Sequence, residues 1–206
     1  MAAFQPKQVY TLDEYFELEK STNEKFEFWD GNVWSMAGAS YAHNIIVRNL
    51  NTEVDLQLRT KDCHSFPTDM RIKVPEYPPY RYPDLTAPCG DPQIEEIGGI
   101  DMLINPQLII EVLSDSTEAF DRGDKFSFYK SISSFSEYLL VAQHRPHVTQ
   151  FVKHGDGFWM NFEFNDLQDT VELKSVACKL PLSDIYRGVS FPESKLFGSE
   201  TVQNRK

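Results

Sequence analysis

Asp84, Glu111 and Lys125 are the residues whose types and placement could do chemistry together. Glu111 sits inside Leu108-Ile109-Ile110-Glu111-Val112-Leu113, a run that otherwise reads as a buried strand. A carboxylate there is costly unless it is paired, hydrogen-bonded or bound to a metal. Asp84 lies in the short extended stretch Tyr82-Pro83-Asp84-Leu85. If the two strands are neighbours, the two carboxylates converge on one side of a sheet. Hard divalent cations such as Mg²⁺ or Mn²⁺ take oxygen ligands and keep several waters. Asp84, Glu111 and the backbone carbonyl of Val112 would form such a partial shell. A cation held there acidifies water and neutralises charge on a phosphoryl group.

Lys125 fits the same point by geometry. Glu111 lies about 7 Å below the end of its strand. Lys125 lies about 10 Å down a helix that runs back over the sheet. It shares a helical face with Phe126, Tyr129 and Ile132, so its ammonium points inward and needs a carboxylate. The plainer alternatives stay open at this stage. Asp84 can cap its own turn, and Asp121 with Lys125 can be an ordinary surface i, i+4 pair. Glu111, apolar on both flanks, resists such an explanation best.

The elements that must position these groups are legible in outline. Thr11-Leu12-Asp13-Glu14 is a capping box opening a helix over 12–20. Residues 24–29 and 32–36 flank Asp30-Gly31 and predict a hairpin. Ser40 caps a helix over 41–60 with the stripe Ile46, Leu50, Val54 and Leu58. One strand is expected over 64–74, where Met70, Ile72 and Val74 alternate with Arg71 and Lys73, followed by a proline-rich bend at 75–79. Residues 88–106 read as a surface loop, 107–113 as a strand, and Ser114 to Thr117 as the cap of a helix over 118–131. Strands follow at 137–143, 148–154 and 158–162. The pattern predicts an α/β domain with a mixed β-sheet flanked by helices over residues 1–191, and a loose tail over 192–206.

Composition bounds the function. The 206 residues carry a net charge of -11, which excludes a generic nucleic-acid binder; phosphate contacts would need a local basic surface or metal ions. Arg48, Arg59, Lys61, Arg71, Lys73 and Arg81 form either such a surface or a merely solvated face. The three cysteines, Cys63, Cys89 and Cys178, are odd in number and widely spaced, so free thiols in a reducing compartment are expected rather than a disulfide or zinc site. Met1 to Tyr10 has no leader-like pattern and no apolar run reaches membrane-spanning length, so a cytoplasmic protein is expected.

These residues resemble the PD-(D/E)XK nuclease superfamily, and more closely its Uma-type branch of restriction-endonuclease-like proteins. The resemblance runs from Thr11 to about Val189. It includes Thr11 to Tyr15, Glu27 to Gly31, Met36 to Ser40 with His43, Tyr82-Pro83-Asp84, and Glu111 to Ser114. It continues through Ser116 to Glu118, Asp121 to Lys125 with Tyr129, Glu137 to Val141, and Leu182 to Tyr186. It implies a restriction-endonuclease-like core and Mg²⁺-dependent (or Mn²⁺-dependent) hydrolysis of phosphodiester bonds in DNA. Asp84 and Glu111 would be metal ligands, and Glu27 a further acid of the site. Leu113 stands where the motif normally has lysine, so the resemblance requires Lys125 to supply it from the next helix. Asn32 stands where relatives often carry Glu, and Asp115 where they often carry Pro.

His43 reads as a structural hydrogen bonder before a general base, Tyr129 as core packing before a group that approaches the site, and His144 and His147 as exposed turn residues. Exposed Trp34 and Trp159 would suit a homodimer, or belong to the core. The expected function is a metal-dependent endonuclease acting on DNA. The alternative is a catalytically inactive nuclease-fold module that binds nucleic acid or a protein partner.

Overall fold

The computed structural model describes residues 9–22, 24–29, 31–36, 38–75, 80–97, 99–114 and 117–191. The 192–206 tail, Asp30 of the hairpin turn, residues 76–79 of the proline-rich bend, and Asp115 lie outside the described residues. Thr11 and Glu14 form the reciprocal box that their spacing predicts: Thr11 N–H donates to Glu14 Oε2 at 2.7 Å, and Glu14 N–H to Thr11 Oγ1 at 3.2 Å. They open α1 (Leu12–Thr22). Strands β1 (Phe26–Trp29) and β2 (Asn32–Ser35) then pair as an antiparallel hairpin, with Gly31 at φ +75° in the turn. Helix α2 (Tyr41–Leu58) starts where Ser40 Oγ accepts the His43 N–H at 3.0 Å, and its stripe Ile46, Leu50, Val54 and Leu58 is buried.

The stretch 64–74 departs from expectation. It divides into β3 (Phe66–Pro67) and β4 (Arg71–Lys73), with a turn between them that sends the two into different sheets. Strands β5 (Tyr80–Arg81) and β6 (Leu85–Ala87) follow. The supposed surface loop 88–106 contains the hairpin β7 (Ile94–Ile97) and β8 (Ile100–Leu103), closed through Gly99 at φ +83°. Strands β5, β4, β8 and β7 form a small four-stranded sheet. Arg71 is buried there. Its guanidinium pairs with Glu19, takes Tyr82 Oη as acceptor at 3.0 Å from Nε, and lies among the rings of Tyr15, Phe16, Tyr80 and Tyr82. Arg81 is buried too and donates to the Phe28 carbonyl. Neither can belong to a basic surface.

Strand β9 (Leu108–Leu113) is buried at all six positions. After it, the expected long helix is broken into α3 (Glu118–Arg122) and α4 (Asp124–Tyr129) by Gly123, whose φ of -108° and ψ of -98° are not helical. Strands β10 (Glu137–Ala142), β11 (Val148–Lys153) and β12 (Trp159–Phe164) complete the main sheet, in the order β12-β11-β10-β9-β6-β3. Only β9 and β10 run parallel within it, joined across α3 and α4. The hairpin β13 (Thr170–Leu173) and β14 (Cys178–Pro181) leads into α5 (Leu182–Ile185).

Alternation along β9 divides the core. Leu108, Ile110 and Val112 join α2, the β13–β14 hairpin and α5 in a mostly aliphatic layer. Ile109 and Leu113 join Tyr138, Leu140, Phe126, Phe128, Tyr129 and Phe135 in an aromatic layer. Glu111 belongs by parity to the second. Trp159 packs on Phe126 and Phe135 in this layer, whereas Trp34 is 49% exposed. His147 is buried, against expectation, with Nδ1 2.7 Å from Asn165 Oδ1 and Nε2 3.1 Å from Glu163 Oε2; His144 is exposed.

Cys63 and Cys89 face each other as an isolated antiparallel bridge pair and are joined by a disulfide. This corrects the expectation of free thiols, which rested on sequence spacing. The antiparallel pairing of β3 with β6 brings together two cysteines 26 residues apart. Cys178 is free and buried. No described helix is long and apolar enough to cross a membrane.

Candidate active site

The register of β6 on β9 decides where the first two acids meet. Leu85 pairs with Ile110, so the next step outward sets Asp84 against Glu111. Asp84 is fixed there by its Oδ2, which accepts the Val112 N–H at 2.7 Å. The same oxygen lies 3.4 Å from His43 Nε2, at the first turn of α2. Val112, the expected backbone ligand, therefore has its N–H engaged by Asp84.

Glu111 is 4% exposed. Its Oε1 accepts the Tyr129 hydroxyl at 2.8 Å and lies 3.0 Å from Lys125 Nζ. Lys125 comes from the start of α4, after the break at Gly123, and not from the continuous helix its expected level assumed; it is itself buried. Its ammonium lies 3.1 Å from Asp121 Oδ1 and 3.3 Å from Glu27 Oε1, the latter from β1. The structure thus brings Glu27, Glu111 and Lys125 into direct contact, and sets Asp84 beside them.

Two groups were undervalued from sequence. Asp121 is 2% exposed, so it and Lys125 are not an ordinary surface pair. The signal was available in their i, i+4 spacing on a face that also carries Phe128 and Tyr129. Tyr129 does pack in the core, but its hydroxyl reaches Glu111. Helical spacing from Lys125 placed the ring without revealing that contact.

Three carboxylates, Glu27, Glu111 and Asp121, stand around one ammonium, and Asp84 lies close enough to add to the charge on Glu111. Burial pushes the Glu111 carboxyl from 4.5 up to about 8 against the pull of Lys125, and the charges of Asp121, Asp84 and Glu27 push it the same way. Lys125 is held well above its ordinary value: burial opposes its charge, but Glu111, Glu27 and Asp121 outweigh it. His43 is raised as well, because Asp84 and the Val112 backbone more than offset its burial. The site carries more negative charge than its own cations neutralise.

That surplus bears on whether a metal fits. Glu27 Oε1 and Asp121 Oδ1 are buried without a hydrogen-bond donor, although both face the Lys125 ammonium. Hard carboxylate oxygens with unmet charge suit a hard divalent cation. Among the described residues no three His, Cys, Asp or Glu side chains form a ready metal cage. The protein would supply only part of a shell, as Mg²⁺ sites commonly do.

Residues 12–183 match the family Uma2, described as "Putative restriction endonuclease". "Uncharacterized protein slr1290" of Synechocystis sp. is 34% identical over 179 residues, covering 87% of this chain and 92% of that protein. "Uncharacterized protein sll1609" of the same organism is 35% identical over 153 residues, covering 74% and 86%. Among solved structures, a putative nuclease belonging to DUF820 from Anabaena variabilis superposes with a TM-score of 0.69 at 18% identity, over 86% of this chain and 97% of that one. The likeness is one of fold, a mixed α/β arrangement over most of the chain.

Proposed function

The chain belongs to the Uma2 family, and from that premise we propose that the cluster around Glu111 is the active site of a metal-dependent nuclease that hydrolyses phosphodiester bonds in DNA. The observation that carries this reading is the meeting of carboxylates from β1, β9 and α3 about one buried ammonium of α4, with Asp84, just before β6, near Glu111. Lys125 Nζ lies 3.0 Å from Glu111 Oε1, and Asp84 is one ladder step beyond the Leu85–Ile110 pair. Three carboxylates on one buried ammonium exceed what charge pairing alone needs. Asp84 and Glu111, with the Val112 carbonyl, would hold Mg²⁺ or Mn²⁺. The bound ion supplies charge neutralisation at the phosphoryl group and acidification of water. Lys125, kept charged by its carboxylate neighbours, offers N–H groups to the negative charge that builds on the phosphoryl oxygens. Glu27 and Asp121 hold that ammonium in place.

Nicking of supercoiled plasmid with Mg²⁺ or Mn²⁺ tests the proposal. Activity is expected to vanish with EDTA and to fall at least about 100-fold in Asp84→Asn and Glu111→Gln, both folded by circular dichroism. Undiminished nicking in both variants would remove the site assignment. The net charge of -11 favours a second reading, a nuclease-fold binding module without catalysis. That reading predicts no Mn²⁺ uptake by the wild-type protein. Cutting both strands of a duplex takes two such sites, which a homodimer would provide; sedimentation equilibrium gives the mass that decides it.

A further inference from the structure

The two carboxylates at the centre of the site are tied down in the same way. Glu111 Oε1 receives two contacts, the Tyr129 hydroxyl at 2.8 Å and Lys125 Nζ at 3.0 Å. Asp84 Oδ2 also receives two, the Val112 N–H at 2.7 Å and His43 Nε2 at 3.4 Å. Among the described residues, the hydrogen bonds to these two acids fall on Glu111 Oε1 and Asp84 Oδ2. One oxygen of each acid is thus committed and the other is left over, on two residues that each lie one position beyond the Leu85–Ile110 end of the β6–β9 ladder.

The side chains that do the tying are not explained by packing. Tyr129 is fully buried, and a phenylalanine would fill its space without a hydroxyl to satisfy. His43 keeps Nδ1 buried with no partner, a cost that an aliphatic side chain would avoid. Tyr129 spends its hydroxyl on a carboxylate, and His43 sets Nε2 toward one while its ring also meets the Val112 backbone.

We propose that Tyr129 and His43 are positioning residues that each hold back one oxygen of Glu111 and Asp84, leaving Oε2 and Oδ1 for a shared divalent cation. This rests on the nuclease reading of the site, with those two acids as ligands. Outer partners of this kind set ligand orientation, and their loss typically costs about 10- to 100-fold in metal affinity. Tyr129→Phe keeps the ring and removes only the donor. His43→Leu removes the donor, whereas His43→Gln keeps an N–H at similar reach.

The test is titration of the metal-free protein with Mn²⁺ alone, by calorimetry, together with its thermal midpoint before metal is added. Wild type is expected to bind, and Asp84→Asn and Glu111→Gln to lose binding. Tyr129→Phe and His43→Leu are expected to weaken Kd about tenfold or more, with His43→Gln recovering part of the loss. Wild-type Kd in Tyr129→Phe and His43→Leu, beside lost binding in the two acid variants, would overturn the positioning role and leave the site standing. A shifted thermal midpoint with an unchanged Kd would overturn it equally, since that is the mark of a structural contact. No Mn²⁺ uptake by the wild type would bring down both the site and this inference.

Discussion

Glu111 has the largest consequences of any one residue. Its carboxyl is raised by burial from 4.5 to about 8, so the folded chain holds a proton that the unfolded chain releases between those values. The raised group contributes stability that is fully present below 4.5 and is lost as pH rises through about 8. Metal-free protein is therefore expected to lose stability from about pH 5 to pH 8, and Glu111→Gln to flatten that trend. His43, also raised, acts in the same sense and remains in the variant, so the difference between the two curves isolates Glu111. Urea midpoints across the range measure it, and parallel curves would refute the assignment. At this scale the sequence was informative about charge and silent about partners. An acid between Ile110 and Val112 announces its own cost, but only the chain's path shows that Lys125, Asp121 and Tyr129 meet it.

Elements with a local physical cause were the legible ones. The capping box, the first hairpin and the α2 stripe depend on residues within a few positions of each other. Thr11→Ala should cost about 1 kcal/mol by leaving the Glu14 N–H without its acceptor. Leu50→Ala, at a fully buried point of the α2 stripe, should cost about 2–5 kcal/mol. Denaturant unfolding reads both, and equal effects would mean that the α2 face is not packed as described. What the sequence did not disclose was set by long-range pairing. Alternation in 64–74 looked continuous, but Arg71 is drawn inward by Glu19 and a ring of aromatic side chains, and the strand divides. Residues 94–103 hold too many acids to read as strands alone; pairing with one another, and with β4 through β8, makes them so. Gly123 interrupts a helical periodicity that the side chains on either side would have continued.

Over the whole molecule, the disulfide ties the segment leaving α2 to the segment leaving β6, so the carriers of His43 and Asp84 are cross-linked at their far ends. Closing a loop of 26 residues should stabilise the fold by about 3.5 kcal/mol. Reductant, or Cys63→Ser, is accordingly expected to lower the thermal midpoint by several degrees, at about 2–4 °C per kcal/mol for a chain of this size. An unchanged midpoint would show that the bridge contributes nothing to stability. The alternation of β9 bears on how the whole chain finds its pairing. A slip of one residue against β10 would turn Glu111 out of the aromatic layer and into the aliphatic layer of Ile46, Leu50 and Val54. The slip would part it from Lys125 and Tyr129, and a buried carboxylate that loses its partner costs several kcal/mol. The acid at the centre of this otherwise apolar strand thus marks one register as the one in which its carboxyl meets Lys125 and Tyr129.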